Sequence, residues 1–373
     1  MKSLFNIILI TFAVVIFTAC SSNESIDELN SKNSEIVRDA IQKPRNVILL
    51  IGDGMGLQEA SLSFYYSEEP VFASFKSIGL IQTSSYTHKI TDSGAGNTAF
   101  SIGEKTYNGA IGVNADTLSI PGITEILADS FRIGILATSS ITHATPAAFY
   151  AHVPDRDMEF EIARQLVHSP VDFFAGGGYR FFTERPDGHN LLDSLTKNGF
   201  VIDTNSIIEN SSINADKKYG FLLNPEAMPP YNKRKDFLQV ASKSAIQYFD
   251  KANEPFFLMI EGSQIDWAGH DNDLEYMIDE VLDFQECIRI AKKYAEEATN
   301  TLVIVTADHE TGGFALSTDY SNNKDYNKLT PSFATGGHTA SLVPVYAYGP
   351  GAEQFHGVYQ NTDVFHKIME LLQ

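Results

Sequence analysis

Acidic residues and histidines are concentrated in three glycine-containing segments, EGSQIDWAGH (261–270), TADHETGG (306–313) and GGHT (336–339). Carboxylate and imidazole groups together are typical zinc ligands, whereas carboxylate and hydroxyl oxygens suit magnesium. A single segment of this kind could be a polar loop with a chance histidine, but three of them favour a site for more than one metal ion. The candidate ligands are Glu261, Asp266, His270, Asp308, His309 and His338.

Two further segments carry groups that could act on a phosphate. In TDSGAGN (91–97), Ser93 precedes a helical pattern, where a serine is ordinarily a cap but free N–H groups also bind anions. The sequence has no histidine at a G-x-S-x-G elbow, so a metal rather than a lipase-type triad could activate Ser93 as a nucleophile. In THATPAAFYAHVPDR (142–156), Thr145 offers a hydroxyl for magnesium, and Arg156 could bind two phosphate oxygens.

Asp53 lies in NVILLIGDGMG (46–56), an apolar run followed by three glycines. A dehydrogenase fold often opens this way, but the spacing here is G-x-G-x-G instead of G-x-G-x-x-G, so that reading fails. The glycine turn instead presents the carboxylate of Asp53 to the predicted metal site.

The elements that must position these residues can be read from the apolar pattern. Continuous apolar runs predict buried parallel strands at Val47–Ile51, Ile133–Thr138, Val171–Phe174, Phe256–Ile260, Leu302–Thr306 and Val343–Tyr348. Helical patterns lie near Asn97–Gly103, Asp157–Val167, Phe237–Asp250, Asp273–Ala298 and Asp363–Leu372. Their alternation predicts an α/β fold, with a doubly wound, mostly parallel sheet and helices on both faces.

The candidate ligands follow the predicted strands, and ligands of such sheets bind outside the carboxyl ends of the strands. We therefore expect these groups to converge in space. Two polar stretches, Thr183–Lys235 and Ser317–Gly337, have the composition of short lid loops on a single domain.

The N-terminus has the pattern of an export signal. Residues 1–19 combine Lys2 with a long apolar run, and FTAC (17–20) is similar to a bacterial lipobox. We predict a lipoprotein signal peptide over 1–19, a lipidated Cys20, a polar tether over 20–43 and a catalytic domain over 44–373. The alternative is an uncleaved membrane anchor with a chance cysteine. The first reading predicts an exported lipoprotein of the cell envelope, facing the periplasm or the exterior.

The composition restricts the partners of the chain. Its 373 residues carry a formal net charge of −20, and nucleic-acid binding requires a basic surface. Nucleic acid is therefore not an expected partner. An anionic substrate would need local positive charge within its pocket.

Taken together, the motifs resemble those of the alkaline phosphatase family, from about Asn46 to the C-terminus and in the same order. The matching segments are IGDGMG, TDSGAGNTAFSIGEKTYNGAIGV, THATPAAFYAHVPDR, EGSQIDWAGH, TADHETGG and GGHT. The resemblance is to the compact bacterial form. It implies an alkaline phosphatase-like fold and hydrolysis of small phosphate monoesters through a phosphoserine. It also implies two zinc ions and one magnesium ion per chain, and a homodimer.

The resemblance also implies a role for each matching residue. Ser93 is the nucleophile, and Arg156, oriented by Asp92, binds two phosphate oxygens. The ligands of the first zinc are Asp266, His270 and His338. The second zinc is bound by Asp53, Asp308 and His309, and the magnesium by Asp53, Thr145 and Glu261.

Two positions depart from the commonest pattern of the family. His143 stands where many relatives carry aspartate, and Trp267 where many carry lysine. Together with Asp92, we expect these two residues to orient the substrate. Trp267 cannot supply the charge of a lysine, so we expect weaker retention of phosphate. His143 could alter the third metal site.

Two other readings of the same motifs remain. A diesterase, nucleotide pyrophosphatase or sulfatase of the same superfamily is disfavoured by Ser93, Arg156 and the absence of a C/S-x-P-x-R segment around the nucleophile. A non-catalytic metal- or phosphate-binding lipoprotein is disfavoured because the expected ligands and Ser93 are all present.

Overall fold

The computed structural model describes residues 42–207, 213–318 and 325–373. Lys43–Gln373 forms a compact unit. The predicted signal peptide, Cys20 and nearly all of the predicted tether lie outside the described residues. Within the described part of the chain, no helix is both long and apolar enough to cross a membrane.

The described residues form a central ten-stranded sheet and two small two-stranded sheets. In chain order the strands are β1 Asn46–Gly52, β2 Ser77–Gln82, β3 Arg132–Ser140, β4 Phe173–Gly177, β5 Phe200–Asp203, β6 Lys218–Leu222, β7 Phe256–Gly262, β8 Thr301–Thr306, β9 Glu310–Thr311, β10 Phe314–Ser317, β11 Thr330–Phe333, β12 His338–Thr339, β13 Val343–Tyr348 and β14 Gly357–Gln360. The order across the main sheet is β14-β2-β13-β8-β1-β7-β3-β4-β6-β5.

The helices that connect and cover these strands are, in chain order, α1 Leu57–Tyr66, α2 Ser93–Ile102, α3 Ile123–Leu127, α4 Ala144–Ala147, α5 Glu159–Leu166, α6 Arg180–Thr183, α7 Leu191–Lys197, α8 Tyr231–Arg234, α9 Phe237–Ala252, α10 Gln264–Asp271, α11 Leu274–Ala298 and α12 Thr362–Leu372. One group of helices packs around α11, which contacts α1, α9 and α10. A second group packs around α2, which contacts α3, α4 and α12. The predicted α/β fold is confirmed.

The centre of the sheet is parallel and fully buried. Strand β1 pairs in parallel with β7 and β8, and β7 pairs in parallel with β3. All residues of β1, β7 and β8 are buried, which explains their continuous apolar runs, because helices cover such strands on both faces.

The prediction that Val343–Tyr348 is a parallel strand was wrong in direction. This segment is β13, which pairs antiparallel with both β2 and β8. A strand buried on both faces needs apolar residues whichever way it runs, so the sequence pattern does not report direction.

The polar stretch Thr183–Lys235 also differs from the predicted lid. It contains β6, which pairs in parallel with β4, and β5, which pairs in parallel with β6 and forms the edge of the main sheet. Both strands are short, and β5 at the edge is partly exposed, so neither gives a strong apolar pattern. In the second stretch, Ser317–Gly337, β11 pairs with β10 as a small antiparallel ribbon.

Strand register brings the predicted site residues to one edge of the sheet. Gly52 at the end of β1 lies opposite Gly262 at the end of β7, and the next residue, Asp53, donates its N–H to the Gly262 carbonyl at 3.2 Å. Glu261 lies opposite Ala137 of β3. Because Asp308 and His309 follow β8, four adjacent strands deliver their carboxyl ends to the same place.

Candidate metal centre and active site

The first cluster consists of Asp266, His270 and His338. Nε2 of His270 lies 3.4 Å from Asp266 Oδ2, and Nε2 of His338 lies 3.5 Å from Asp266 Oδ1. The Nδ1 atoms of these histidines face the carbonyls of Gly336 and Thr91 at 2.7 and 2.9 Å. A carbonyl fixes Nδ1 as the protonated atom, so both Nε2 atoms are available to a metal ion.

The second cluster consists of Asp53, Asp308 and His309, which are all fully buried. Nε2 of His309 lies 3.4 Å from Asp53 Oδ1 and 3.5 Å from Asp308 Oδ2. The imidazole of His309 stacks on that of His338, with 3.6 Å between ring centroids. The first two clusters are therefore adjacent, as a two-ion site requires.

The third cluster consists of Asp53, His143 and Glu261. Both carboxylate oxygens of Asp53, Oε1 of Glu261 and Nδ1 of His143 are buried and have no hydrogen-bond partner. Buried polar groups are almost always paired, so four orphaned ligand atoms at one point fit a bound cation. Asp53 belongs to the second and third clusters and can bridge them.

The raised pKa values of Asp53 and Glu261 fit a site that binds a cation. Burial, reinforced by the negative charges of Asp308 and Asp266, raises the pKa of Asp53 well above its usual value. Burial raises the pKa of Glu261 to about 8 against the lowering effect of hydrogen bonds from Ser263 and Thr145. A cation would remove this penalty by favouring the ionised forms.

Ser93 lies at the start of α2 beside the second cluster. Its Oγ is 3.3 Å from His309 Nε2, and the side chain is buried. Asp92 caps the helix by accepting the Ala95 N–H at 3.0 Å. The Ser93 hydroxyl therefore lies next to the second cluster and at the N-terminus of a helix, and helix N-termini attract anions.

Arg156 is held beside Ser93 by Asp92. Its Nη1 donates to Asp92 Oδ2 at 3.0 Å, while Oδ1 of Asp92 accepts the N–H groups of Ala95 and Gly109. Burial would raise the pKa of Asp92, but these N–H groups and the Arg156 charge lower it, so the carboxylate stays ionised. Arg156 supplies the local positive charge that an anionic substrate needs.

His143 and Trp267 contact each other next to Arg156. Nε2 of His143 lies 3.2 Å from Arg156 Nη2, and its ring meets the Trp267 ring edge-on, with 6.0 Å between centroids. Burial, helped by the Arg156 charge, lowers the pKa of His143 to about 3, so this side chain is neutral. His143 thus touches both the arginine and the third cluster.

Thr145 lies on α4, next to the third cluster. Its Oγ1 accepts a hydrogen bond from Asn97 at 2.9 Å, and a hydrogen bond from Thr145 helps to lower the pKa of Glu261. The hydroxyl is thus in place to complete the third cluster.

Gly54 is required by the close packing at this edge of the sheet. Its φ is +74°, and a Cβ there would lie 2.7 Å from Asp266 Cα and 2.8 Å from Thr311 Oγ1. Any side chain would therefore push the loop carrying Asp53 away from the helix carrying Asp266.

Sequence reasoning missed two buried residues that contact the ligands. Thr311 donates its hydroxyl to Asp266 Oδ1 at 2.5 Å and lies 3.1 Å from His309 Nδ1, so it links the first two clusters. Asn97 contacts Asp308 and Thr145. The only available signal was position, since Thr311 lies two residues after His309 and Asn97 lies one helical turn after Ser93.

Glu310, which matches no ligand position of the resemblance, faces away from the clusters. It accepts the Phe314 N–H at 2.9 Å and the Thr339 hydroxyl. Burial and the charge of Glu310 raise the pKa of the neighbouring Glu59 well above its usual value. These contacts fix the loop between β8 and β10.

Comparison with known proteins agrees with this site. A model of the alkaline phosphatase family matches residues 44–331 and 316–373. Alkaline phosphatase 3 of Bacillus subtilis is 31% identical over 88% of this chain and 89% of its own length. The structure of alkaline phosphatase from the Antarctic bacterium TAB5 is 50% identical, with a TM-score of 0.87, over 89% of this chain and 98% of that one.

A mutant of the TAB5 enzyme, with aspartate in place of a histidine, has been solved with Mg bound in its M3 site. It is 49% identical to this chain, with a TM-score of 0.86, over 89% of this chain and 99% of that one. The predicted enzyme class, a phosphoric monoester hydrolase, is confirmed by these relatives. The chain belongs to the alkaline phosphatase family.

Proposed function

We propose that the chain hydrolyses phosphate monoesters through a phosphoserine formed on Ser93, with zinc in the first two clusters and magnesium in the third. The observation that carries this proposal is the position of the Ser93 hydroxyl, 3.3 Å from Nε2 of His309 in the second cluster. Ser93 is the first residue of α2, and Arg156 is bonded to the preceding residue, Asp92.

The donor sets support these metal assignments. The first cluster has two histidines and one aspartate, and the second has one histidine and two aspartates, both of which suit zinc. The third offers two carboxylates, a nearby hydroxyl and an imidazole, of which the oxygens suit magnesium. Bound ions would lower the pKa of the serine hydroxyl and neutralise the departing alkoxide.

The side chains of the site would then act in two steps. Arg156 and the first N–H groups of α2 hold the phosphoryl oxygens while Ser93 Oγ forms a bond to phosphorus and the bond to the leaving oxygen breaks. The proton that the Ser93 hydroxyl loses balances the one that the leaving oxygen gains as it departs as the alcohol. In the second step a water oxygen attacks phosphorus and the Ser93 Oγ–P bond breaks. One proton of that water is transferred to Ser93 Oγ, and inorganic phosphate leaves.

Hydrolysis of a nitrophenyl phosphate monoester, compared with the matching diester, tests this function. We expect a strong preference for the monoester, loss of activity with a chelator and recovery on adding zinc and magnesium. Ser93→Ala should lower kcat by at least about 100-fold with little effect on the fold, because it removes only the nucleophile. Diester cleavage at an equal rate, or a fully active Ser93→Ala variant, would overturn the proposal.

The identity of the third ion is a separate part of the proposal. The Mg-bound relative carries aspartate in place of a histidine, whereas this chain offers His143 to its third cluster. We propose magnesium here as well, bound through Asp53 and Glu261 with Thr145 nearby. Diffraction from crystals, measured at the zinc edge, would show zinc at the first two clusters; a zinc signal at the third would refute the assignment.

Export, lipidation and dimerisation are further proposals. The sequence of residues 1–20 supports lipidation at Cys20, and Cys20→Ser should release the protein from membranes of cells that express the full chain. The homodimer is an expectation from the resemblance of the motifs, and exposed apolar side chains on α1, of which Tyr65 is 62% exposed, are compatible with it. Sedimentation at micromolar concentration should give twice the monomer mass; a monomer would contradict the dimer.

A further inference from the structure

Asn97 contacts three parts of the site with one amide group. Its Nδ2 lies 2.9 Å from the Ser93 carbonyl, 2.9 Å from Thr145 Oγ1 and 2.8 Å from Asp308 Oδ2. The residue is fully buried in the middle of α2. Its two N–H hydrogens are shared among these three acceptors, which fix the orientation of the amide, because a rotated group would place its oxygen against the carbonyl and the carboxylate.

At Asp308, Asn97 completes the set of hydrogen bonds that orients the carboxylate. Oδ1 accepts the backbone N–H groups of Gly54 and His309 at 3.2 and 3.1 Å. Oδ2 accepts from Asn97 and also faces Nε2 of His309 at 3.5 Å. Without the Asn97 amide, Oδ2 of Asp308 would lose its hydrogen bond from α2 and would face only the neighbouring His309.

At Thr145, the same amide sets the direction of the hydroxyl. Because Oγ1 accepts from Asn97, its own hydrogen must point elsewhere, and Thr145 lies close enough to Glu261 to lower the pKa of that carboxyl. One lone pair of Oγ1 stays free for a cation. Asn97 therefore touches one residue of the second cluster and one residue beside the third.

We infer that Asn97 is a positioning residue that connects α2, the helix that begins at Ser93, to the second and third clusters. The Asn97 amide also donates to the backbone carbonyl of Ser93, so a displacement of Asp308 or Thr145 would shift the start of α2. Groups that orient metal ligands typically contribute 10-fold to 100-fold to metal affinity. The inference rests on the proposed metal-dependent function. Its main test measures the metal occupancy of each cluster and does not depend on activity.

The test uses Asn97→Ala in the full-length chain, with Thr98→Ala as the matched control. Thr98 is equally buried on the same helix, and its hydroxyl bonds the Ala110 carbonyl and the Gly112 N–H, each at 3.0 Å, without touching a ligand. Crystals equilibrated at defined zinc and manganese concentrations give the occupancy of each cluster by anomalous diffraction. Manganese serves as the probe for the third cluster because it prefers the same oxygen ligands as magnesium.

For Asn97→Ala we expect about 10-fold to 100-fold weaker zinc binding at the second cluster and manganese binding at the third, with the first cluster unchanged. Thr98→Ala should lower the thermal midpoint without changing any metal affinity. Unchanged affinities at the second and third clusters, or an equal loss at all three, would overturn the inference. If Asn97→Ala does not fold, Asn97→Ser, which keeps one donor, is judged by the same pattern of occupancies.

Activity distinguishes a failure of this inference from a failure of the proposed function. If the natural chain cleaves no monoester but Asn97→Ala still loses the second and third metals, the function is wrong and the positioning role stands. If the natural chain is active and Asn97→Ala keeps its metals and its kcat, the positioning role is wrong and the function stands.

Discussion

Replacing Asp53 by asparagine should weaken metal binding at two clusters together and stabilise the metal-free protein. Asp53 belongs to both the second and the third cluster, and neither of its buried oxygens has a hydrogen-bond partner. Asparagine has the same shape and keeps one oxygen, so the change removes chiefly a negative charge. The two effects have opposite signs, which makes the prediction specific to a bridging ligand.

The size of the metal effect follows from the charge that is lost. Two unit charges 4 Å apart interact by about 4 kcal/mol at an effective dielectric constant of about 20, which corresponds to roughly 1000-fold in affinity. The amide oxygen that remains offsets part of this loss. We therefore expect about 100-fold weaker binding at each of the two clusters, and no change at Asp266, His270 and His338.

The effect on the metal-free protein follows from the pKa of Asp53. Burial and Asp308 raise this pKa above its value in the unfolded chain, so the stability that the carboxyl contributes is present at low pH and is lost as the pH rises. At neutral pH its ionisation opposes folding. A neutral amide removes that cost, and a gain of about 1 kcal/mol would raise the midpoint by about 1–2 °C.

Two measurements test this prediction. Calorimetric titration of zinc and magnesium into the metal-free variant gives the affinities, and thermal unfolding with and without metals gives the two stability changes. Loss of affinity at only one cluster would refute the bridging role. A metal-free Asp53→Asn protein that unfolds at a lower temperature than the natural chain would refute the charge argument.

Three further predictions concern the same site. His143→Asp adds a carboxylate to the third cluster and should raise its magnesium affinity by about 10-fold or more, as measured by titration; an unchanged affinity would place His143 outside the cluster. Trp267→Lys should tighten inhibition by phosphate by about 10-fold, and an unchanged inhibition constant would show that residue 267 lies too far from the product. Metal-free protein should lose stability as the pH rises from about 4.5 to 8, because the folded pKa of Glu261 is about 8; equal thermal midpoints at pH 5 and 8 would contradict this.

The sequence predicted the central part of the fold because burial there is complete. The runs around β1, β7 and β8 are apolar throughout, and the acids that follow them lie at the carboxyl ends of neighbouring strands. The direction of β13 could not be predicted, because a strand buried on both faces has the same apolar pattern whether it runs parallel or antiparallel to its neighbours. Strands β5 and β6 were missed because they have only four and five residues, too few to give a recognisable apolar run within a polar stretch.

The candidate site was predicted residue by residue where chemistry is visible in the residue type. Carboxylates, histidines, a serine at a helix start and an arginine indicate their chemistry by residue type. The structure places these side chains close together, and their individual roles stay predictions. Asn97 and Thr311 carry no such signal. Their importance depends on hydrogen bonds to residues up to 211 positions away, which only the folded chain can show.

Acid quenching of the enzyme during turnover of a phosphate monoester, followed by peptide mass spectrometry, tests the central claim most directly. Acid preserves a phosphate ester of serine while it stops hydrolysis. The account predicts a phosphoryl group on the peptide that contains Ser93, at that residue, and its absence in Ser93→Ala. Turnover with no phosphorylated Ser93, or with the phosphoryl group on another residue, would contradict it.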